Sequence, residues 1–430
     1  MFEKFISSEI YLDNRNNNER KLALIFTSLI PAFLLFSRAV ADVALIITGI
    51  LFIIHTLKTK NYNFLKPLLI RILLLLWLWF MFSSFFASSN NFSSFASSFV
   101  YIRFILFFIA CTSWLFTEIN ALKFAIKIIT LTMLITICDS LWQFFTEYSI
   151  TGNPKYDLVR LTSFLKRPNV GTYLLKLIFP ITGLWLITIN INNKKHLFLS
   201  CSLLLCTIGV ICITGERTAT ALALIFLIFS LFAICINSKS HRAYMIAAII
   251  CIISAFMLVL YSVPYILSRA LGLINDVSDF SSSLYGQLFQ ASILIWQDNI
   301  FTGAGLMQFR HACAVLEQKG LIHYCTTHSH NIYLEILSET GAVGLILFVT
   351  FIILCISKTL RVALANHRDI KIFTSAILAL SGLCIIFFPI SVTMSFITNW
   401  SAILNWLGIS LCVSLSNIAC TEKQAGDIMR

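Results

Sequence analysis

Apolar residues run along this chain in blocks of about 20, separated by short polar stretches. Blocks of that length cross a hydrocarbon layer as helices, the form in which a segment satisfies its own backbone groups. The pattern predicts twelve spans, over residues 22–37, 40–57, 67–87, 99–116, 124–145, 169–191, 197–213, 218–236, 243–263, 340–356, 372–391 and 401–418. Two connections are long. One covers residues 146–168, and the other, 264–339, exceeds an ordinary loop and is not low-complexity, the mark of a functional segment. Within it SLYGQLFQASILIWQDNIF sets Leu288, Ala291, Ile295 and Trp296 at helical spacing. A glycine turn, TGAGLMQF, and then RHACAVLEQKGLIHYCTTHSHN follow, so this segment is expected to fold as a cap with at least two helices.

The expected architecture is all-α and polytopic. It has a tail over 1–21, spans one to nine over 22–263, a large helical loop over 264–339, spans ten to twelve over 340–418, and a tail over 419–430. Composition agrees, with 58% hydrophobic and 12% charged residues and a mean hydropathy of +0.88. The net charge of +12 is not a nucleic-acid footprint in such a chain, because lysines and arginines beside spans set orientation and meet anionic head groups. The polar start MFEKFISSEIYLDNRNNNERK has no small-residue cleavage site and reads as a cytoplasmic tail. With that end inside, the cytoplasmic connections hold Lys58, Lys60 and Lys66, then Lys123, Lys194, Lys195, Lys239 and Arg242, then Lys358, Arg361, Arg368 and Lys371. The outer connections SSNNFSSFASS and ITNW carry no positive charge, as the positive-inside rule requires. The two long outer segments depart from it. One holds Lys155, Arg160, Lys166 and Arg167, and the other Arg269, Arg310 and Lys319. Long loops are partly exempt from the rule. The alternative is a surface for an anionic substrate.

Four of the eight histidines, His311, His323, His328 and His330, fall in the long loop together with Cys313 and Cys325. In an oxidising compartment the two cysteines are expected to form a disulfide. The competing reading, a metal held by His311-x-Cys313, His323-x-Cys325 and His328-x-His330, has one-residue spacings in place of the usual two to four, and no metal or cofactor is expected.

At the end of this loop, HSHNIYLEILSETGAVG joins His330-Asn331 to Gly341-x-x-Gly344. This stretch resembles the motif of the O-antigen ligase and O-antigen polymerase family, in its position late in the chain as well as in its residues. GERTATALAL resembles the family's arginine at the outer end of a middle span and supplies Arg217. RLTSFLKRPNVGTYL resembles its segment before Pro-Asn, with Ser163 where glycine is common, and WQDNIFTGAGLMQFR its Gly-x-Gly segment. The resemblance covers most of residues 160–350.

The resemblance implies glycan transfer on the periplasmic side of a bacterial inner membrane. The donor would be a polyprenyl-diphosphate-linked glycan, and the acceptor a hydroxyl of lipid A-core or of another glycan. Arg217 would bind the diphosphate, which suits a planar, permanently charged guanidinium. A second arginine is expected in the loop, with Arg269 ranked before Arg310. Arg160, Arg167 and Asn331 are further candidates for substrate contact. His330 is the candidate base, since an imidazole titrates near working pH, at about 6.5. On a helix running from about 330, positions 330, 334, 337, 341 and 344 share a face, and Gly341 and Gly344 would admit a neighbouring helix. Glu216 would pair with or orient Arg217. Asn331 would position the imidazole or cap the helix. A polymerase or a protein O-oligosaccharyltransferase would use the same donor with another acceptor. A transporter is the alternative of a different class, disfavoured because the spans hold almost no ionisable residues, Asp139 being an exception.

Overall fold

The computed structural model describes residues 18–157, 159–188, 194–237, 280–392 and 394–428, with isolated positions between 246 and 272. Arg269 and most of the ninth expected span lie outside the described residues. The described helices are α1 Asn18–Phe36, α2 Arg38–Thr59, α3 Leu68–Ser83, α4 Asn91–Val100, α5 Ile102–Ser113, α6 Ile119–Thr146 and α7 Val170–Thr188. They continue as α8 Lys194–Ile213, α9 Arg217–Asn237, α10 Leu284–Asp298, α11 Phe309–Gln318, α12 Ile332–Ala365, α13 Ile370–Ile386 and α14 Asn399–Ile428. Among the described residues, strand-like pairing is limited to two isolated bridges, Tyr148 with Pro154 and Tyr156 with Arg160.

Among the described residues, eight helical stretches are long and apolar enough to cross a membrane, and Phe198–Ile213 and Ile370–Ile386 are shorter apolar helices. The protein is therefore an all-α polytopic membrane protein. The first expected span falls in α1, whose start carries Glu19, Arg20 and Lys21.

The bundle is built around two helices. The apolar windows of Val170–Thr188 and Trp400–Ala419 are 89% and 94% buried, against 33% for Leu68–Phe86, which leaves much of its surface for lipid. Small residues allow this centre to close. A Cβ on Gly183 of α7 would lie 2.8 Å from the Ser375 carbonyl of α13, and one on Gly382 of α13 would lie 3.0 Å from Pro180 of α7. Helix ends alternate between two faces of the bundle. One face gathers the 147–169, 214–216, 280–331 and 387–398 segments, and is called the loop end here. At the opposite end Arg20 pairs with Glu118 and Lys58 with Glu19.

The 280–331 segment has its own small core, in which Leu288, Ala291 and Ile295 of α10 pack on Phe309, Cys313 and Leu316 of α11 and on Ile322. The Cys313 and Cys325 sulfurs are bonded, with Cα atoms 5.8 Å apart, which leaves no thiolate there for a metal. Ser283 caps α10 by accepting a hydrogen bond from the Gly286 amide at 3.1 Å.

The element that joins this segment to the bundle is α12, and it is not one regular helix. Gly341 has φ +69° and ψ −174°, which breaks the helix one residue after the expected start of the tenth span. The freed backbone groups find partners in the 300–305 turn. The Ala342 amide donates to the Ile300 carbonyl at 2.8 Å, and the Ala304 and Gly305 amides donate to the carbonyls of Ser338 (2.8 Å) and Glu339 (2.9 Å). The Thr340 carbonyl accepts from the Trp79 indole of α3 at 2.8 Å. This corrects the expectation of a continuous helical face from 330 to 344. Gly341 is approached by a loop backbone instead of a helix, and Gly344 lies against Trp79 of α3.

A Cβ at Gly341 would overlap the Phe301 carbonyl and also sit at positive φ. Gly320 has φ +70° with nothing within 4 Å. Gly320→Ala is therefore expected to cost only the conformational strain, about 1 kcal/mol. Gly341→Ala should cost several times that. Thermal unfolding of the purified variants in detergent checks the order, and equal midpoints would contradict it.

Candidate active site

The histidine corner forms where the loop segment enters α12. Asn331 is the N-cap of that helix: its side-chain oxygen accepts from the Tyr333 amide at 3.0 Å and the Leu334 amide at 3.2 Å. Its side-chain nitrogen donates to the Pro389 carbonyl at 2.7 Å, so the same residue ties the 387–391 turn to the helix start. The Tyr333 hydroxyl donates to the Phe387 carbonyl at 2.6 Å, beside it. Asn331 thus caps the helix in the structure.

His330 precedes the cap with φ +56°. A non-glycine residue in the left-handed region costs of order 1–3 kcal/mol and persists where its surroundings hold it. Here Ser329 donates a hydrogen bond to the Asn331 carbonyl at 2.8 Å across the bend. The conformation turns the His330 ring off the α12 face and toward the loop segment. Its centroid lies 4.1 Å from the His328 ring and 5.7 Å from the Tyr285 ring of α10.

His328 shares a 3.1 Å hydrogen bond with the Thr327 hydroxyl through Nδ1, while its Nε2 is buried with no partner among the described residues. Burial, and then the charges of His330 and Arg310, push its imidazole down to about 3. It therefore stays neutral at working pH. Arg310, on the first turn of α11, is exposed, and its charge reaches both His328 and Glu339.

Two carboxylates one turn apart on α12 hold the surrounding loops. Glu335 accepts from the Phe396 amide at 2.7 Å. Glu339 accepts from the amides of Met307 (2.7 Å) and Phe309 (3.2 Å), fixing the turn before α11. Sequence reasoning gave neither a role. Their i, i+4 spacing in an otherwise apolar run was the available signal.

The arginine corner is built by the other long segment. Asp139 of α6 accepts from the Ile150 amide at 2.6 Å and the Ser163 hydroxyl at 2.5 Å. Gln143, one turn on, accepts from the amides of Thr162 and Ser163 at 2.9 and 2.7 Å. Ser163 has φ +51°, which explains why glycine suits that position, and its hydroxyl bond to Asp139 compensates. The Leu161 amide donates to the Thr214 carbonyl at 3.1 Å, which docks the segment on the turn before α9.

Arg160 then packs over Gly215, pairs with Asp157 and lies 4.7 Å above the Tyr156 ring. Arg217 is the first residue of α9, and Gly272 approaches it, a Cβ there lying 3.6 Å from Nη1. Arg167 is exposed on the loop leading into α7. The described bonds of Glu216 go to the start of α7 and not to Arg217. Its carboxylate accepts from the Gly171 amide, the Thr172 amide at 3.0 Å and the Thr172 hydroxyl at 2.6 Å. The reason is electrostatic, since the α7 N-terminus presents unpaired amides. Burial pushes Glu216 up to about 7, against these bonds and the Arg160 charge.

Between the two corners lies Lys176, in the sixth expected span and six residues into α7. It was visible in VGTYLLKLIFP but was overlooked as an ionisable residue among apolar ones. It is only 6% exposed.

A polytopic helical membrane protein with histidine and arginine corners at one end is thus defined. The family model described as O-Antigen ligase matches residues 202–349, roughly a third of the chain, running from α8 past the break in α12. That region is similar to the O-antigen ligase family; it includes Arg217, Arg310, His328, His330, Asn331, Gly341 and Gly344, while Arg160, Arg167 and Lys176 fall before it. No curated protein matches the chain.

The depressed His328 value has a consequence for stability. Its folded form binds its proton below the ordinary value of 6.5, so its contribution is present above that pH and lost as pH falls from about 6.5 toward 3. Glu216, raised from 4.5 to about 7, acts with the opposite sign between those values. His328→Asn should therefore flatten the acid side of the stability profile relative to wild type. Unfolding midpoints at pH 7 and pH 5 measure this, and an unchanged difference between the two pH values would refute it.

Proposed function

We propose that the protein transfers a glycan from a polyprenyl-diphosphate carrier to a sugar hydroxyl, as the lipid A-core ligase of a bacterial inner membrane, with the loop end facing the periplasm. The observation that carries this reading is that His330 and Arg217, far apart in sequence, stand at the same end of the bundle within the region matched to the family. The basic residues of the opposite end support the orientation.

His330 takes the proton of the acceptor hydroxyl as its oxygen bonds to the anomeric carbon. The bond from that carbon to the carrier phosphate breaks, and its electron pair leaves on the diphosphate. Arg217 binds the leaving diphosphate, assisted by Arg269 or Arg310 and by the Arg160 and Arg167 side of the loop end. Attack opposite the leaving group inverts the anomeric centre in one displacement. His328, neutral at working pH and against the His330 ring, leaves the imidazolium formed there free of a second positive ring.

The test uses His330→Asn, because asparagine tolerates the left-handed backbone, and Arg217→Gln. Each should lower transfer by about 100-fold or more without moving the unfolding midpoint appreciably. Surface glycan analysis of a deletion strain complemented with each variant reads this out. Unsubstituted core with accumulated lipid-linked polymer is the expected result. A single repeat unit on the core would assign polymerisation instead, and normal surface glycan from both variants would refute the enzyme reading.

A further inference from the structure

Lys176 is an ionisable side chain inside a membrane-spanning helix, and nothing described so far uses it. It is 6% exposed, and the charge that reaches it is that of the Glu216 carboxylate, the neighbour of Arg217. Burying an ammonium is unfavourable even beside a carboxylate, so such a residue in a span points to a ligand or pathway.

Its surroundings connect the two corners. Side chains on a helix tilt toward its N-terminus, so Lys176 points toward Thr172, one turn nearer the loop end. Thr172 holds the carboxylate of Glu216, the neighbour of Arg217. On the other side, a Cβ on Gly408 of α14 would lie 3.2 Å from the Lys176 carbonyl and 2.9 Å from Ile386 of α13. Ile386 leads directly into Phe387 and Pro389, whose carbonyls bind Tyr333 and Asn331 beside His330. One turn above Gly408, Asn405 is 2% exposed and its side-chain oxygen has no partner among the described residues. The Lys176 ammonium and the unpartnered Asn405 oxygen thus belong to residues at similar depth on facing helices, about 9 Å in from the loop ends of α7 and α14. Buried polar atoms of this kind are ordinarily satisfied by something that enters.

We propose that Lys176 is a further diphosphate contact, reaching the anion from inside the bundle while Arg217 reaches it from the loop end. The inference rests on the glycan-transfer reading and deepens it. An ammonium at this position draws the carrier's head group between the arginine and histidine corners, which places the anomeric carbon next to His330. Asn405 accepts from the ammonium or from a water that accompanies the anion.

The test measures binding and needs no glycan. A polyprenyl diphosphate without sugar is titrated into the purified full chain in detergent, and inorganic pyrophosphate in a parallel series shows whether a free diphosphate suffices. Lys176→Met should weaken binding of the lipid form at least tenfold. The unliganded midpoint should be unchanged or raised, because an apolar chain of similar length replaces a charge buried inside the bundle. Lys176→Gln carries the same expectation should the methionine variant not fold. Affinity within twofold of wild type for both probes overturns the proposal. If Arg217→Gln weakens binding while the Lys176 variants do not, the glycan-transfer reading stands and this inference falls. If wild type binds neither probe, both fall.

Discussion

Backbone amides and carbonyls cannot be left unpaired where water is scarce, and α12 breaks where its apolar run begins. At Gly341 the helix gives up its own bonds, and the 300–305 turn and the Trp79 indole take them over. This exchange ties the loop segment to the bundle at a defined depth. It also explains the composition of both partners. A Cβ on Gly303 would meet the Gly341 amide at 2.6 Å, and one on Gly305 would meet Ser94 of α4 at 2.7 Å, so neither position tolerates a side chain.

From that junction the histidine corner follows. Glu339 and Glu335 on the short first section of α12 pin the turn before α11 and the strip before α14. Asn331 ties the helix start to the end of α13. With three surrounding segments fixed, the left-handed backbone at His330 is held, and its ring is set against His328 and Tyr285. The arginine corner is organised by the same kind of device. Asp139 and Gln143, one turn apart on α6, hold the loop that carries Arg160, and Glu216 joins the starts of α7 and α9.

The helices and the polar ends were legible because apolar runs and the placement of lysines report the bilayer directly. The histidine motif was legible as a candidate through its position after a long loop. The break at Gly341 was not, because a glycine in an apolar run looks the same whether it admits a helix or interrupts one. The anchoring roles of Glu216, Glu335 and Glu339 were also hidden. Their partners are backbone amides 30 to 61 residues away, and a backbone amide has no sequence signature. Lys176 was visible as a residue, but its meaning depends on which helices face it, and that is a property of packing.

The central claim is that a carrier diphosphate is held between the arginine and histidine corners, with its sugar turned toward His330. The most direct measurement is an electron cryo-microscopy structure of the full chain in a lipid nanodisc with a polyprenyl-diphosphate-linked glycan bound. The account predicts phosphate density at the junction of α7 and α9, in contact with Arg217, and the first sugar within reach of the His330 ring. Head-group density at the opposite end of the bundle, by the Arg20–Glu118 and Lys58–Glu19 pairs, would contradict it.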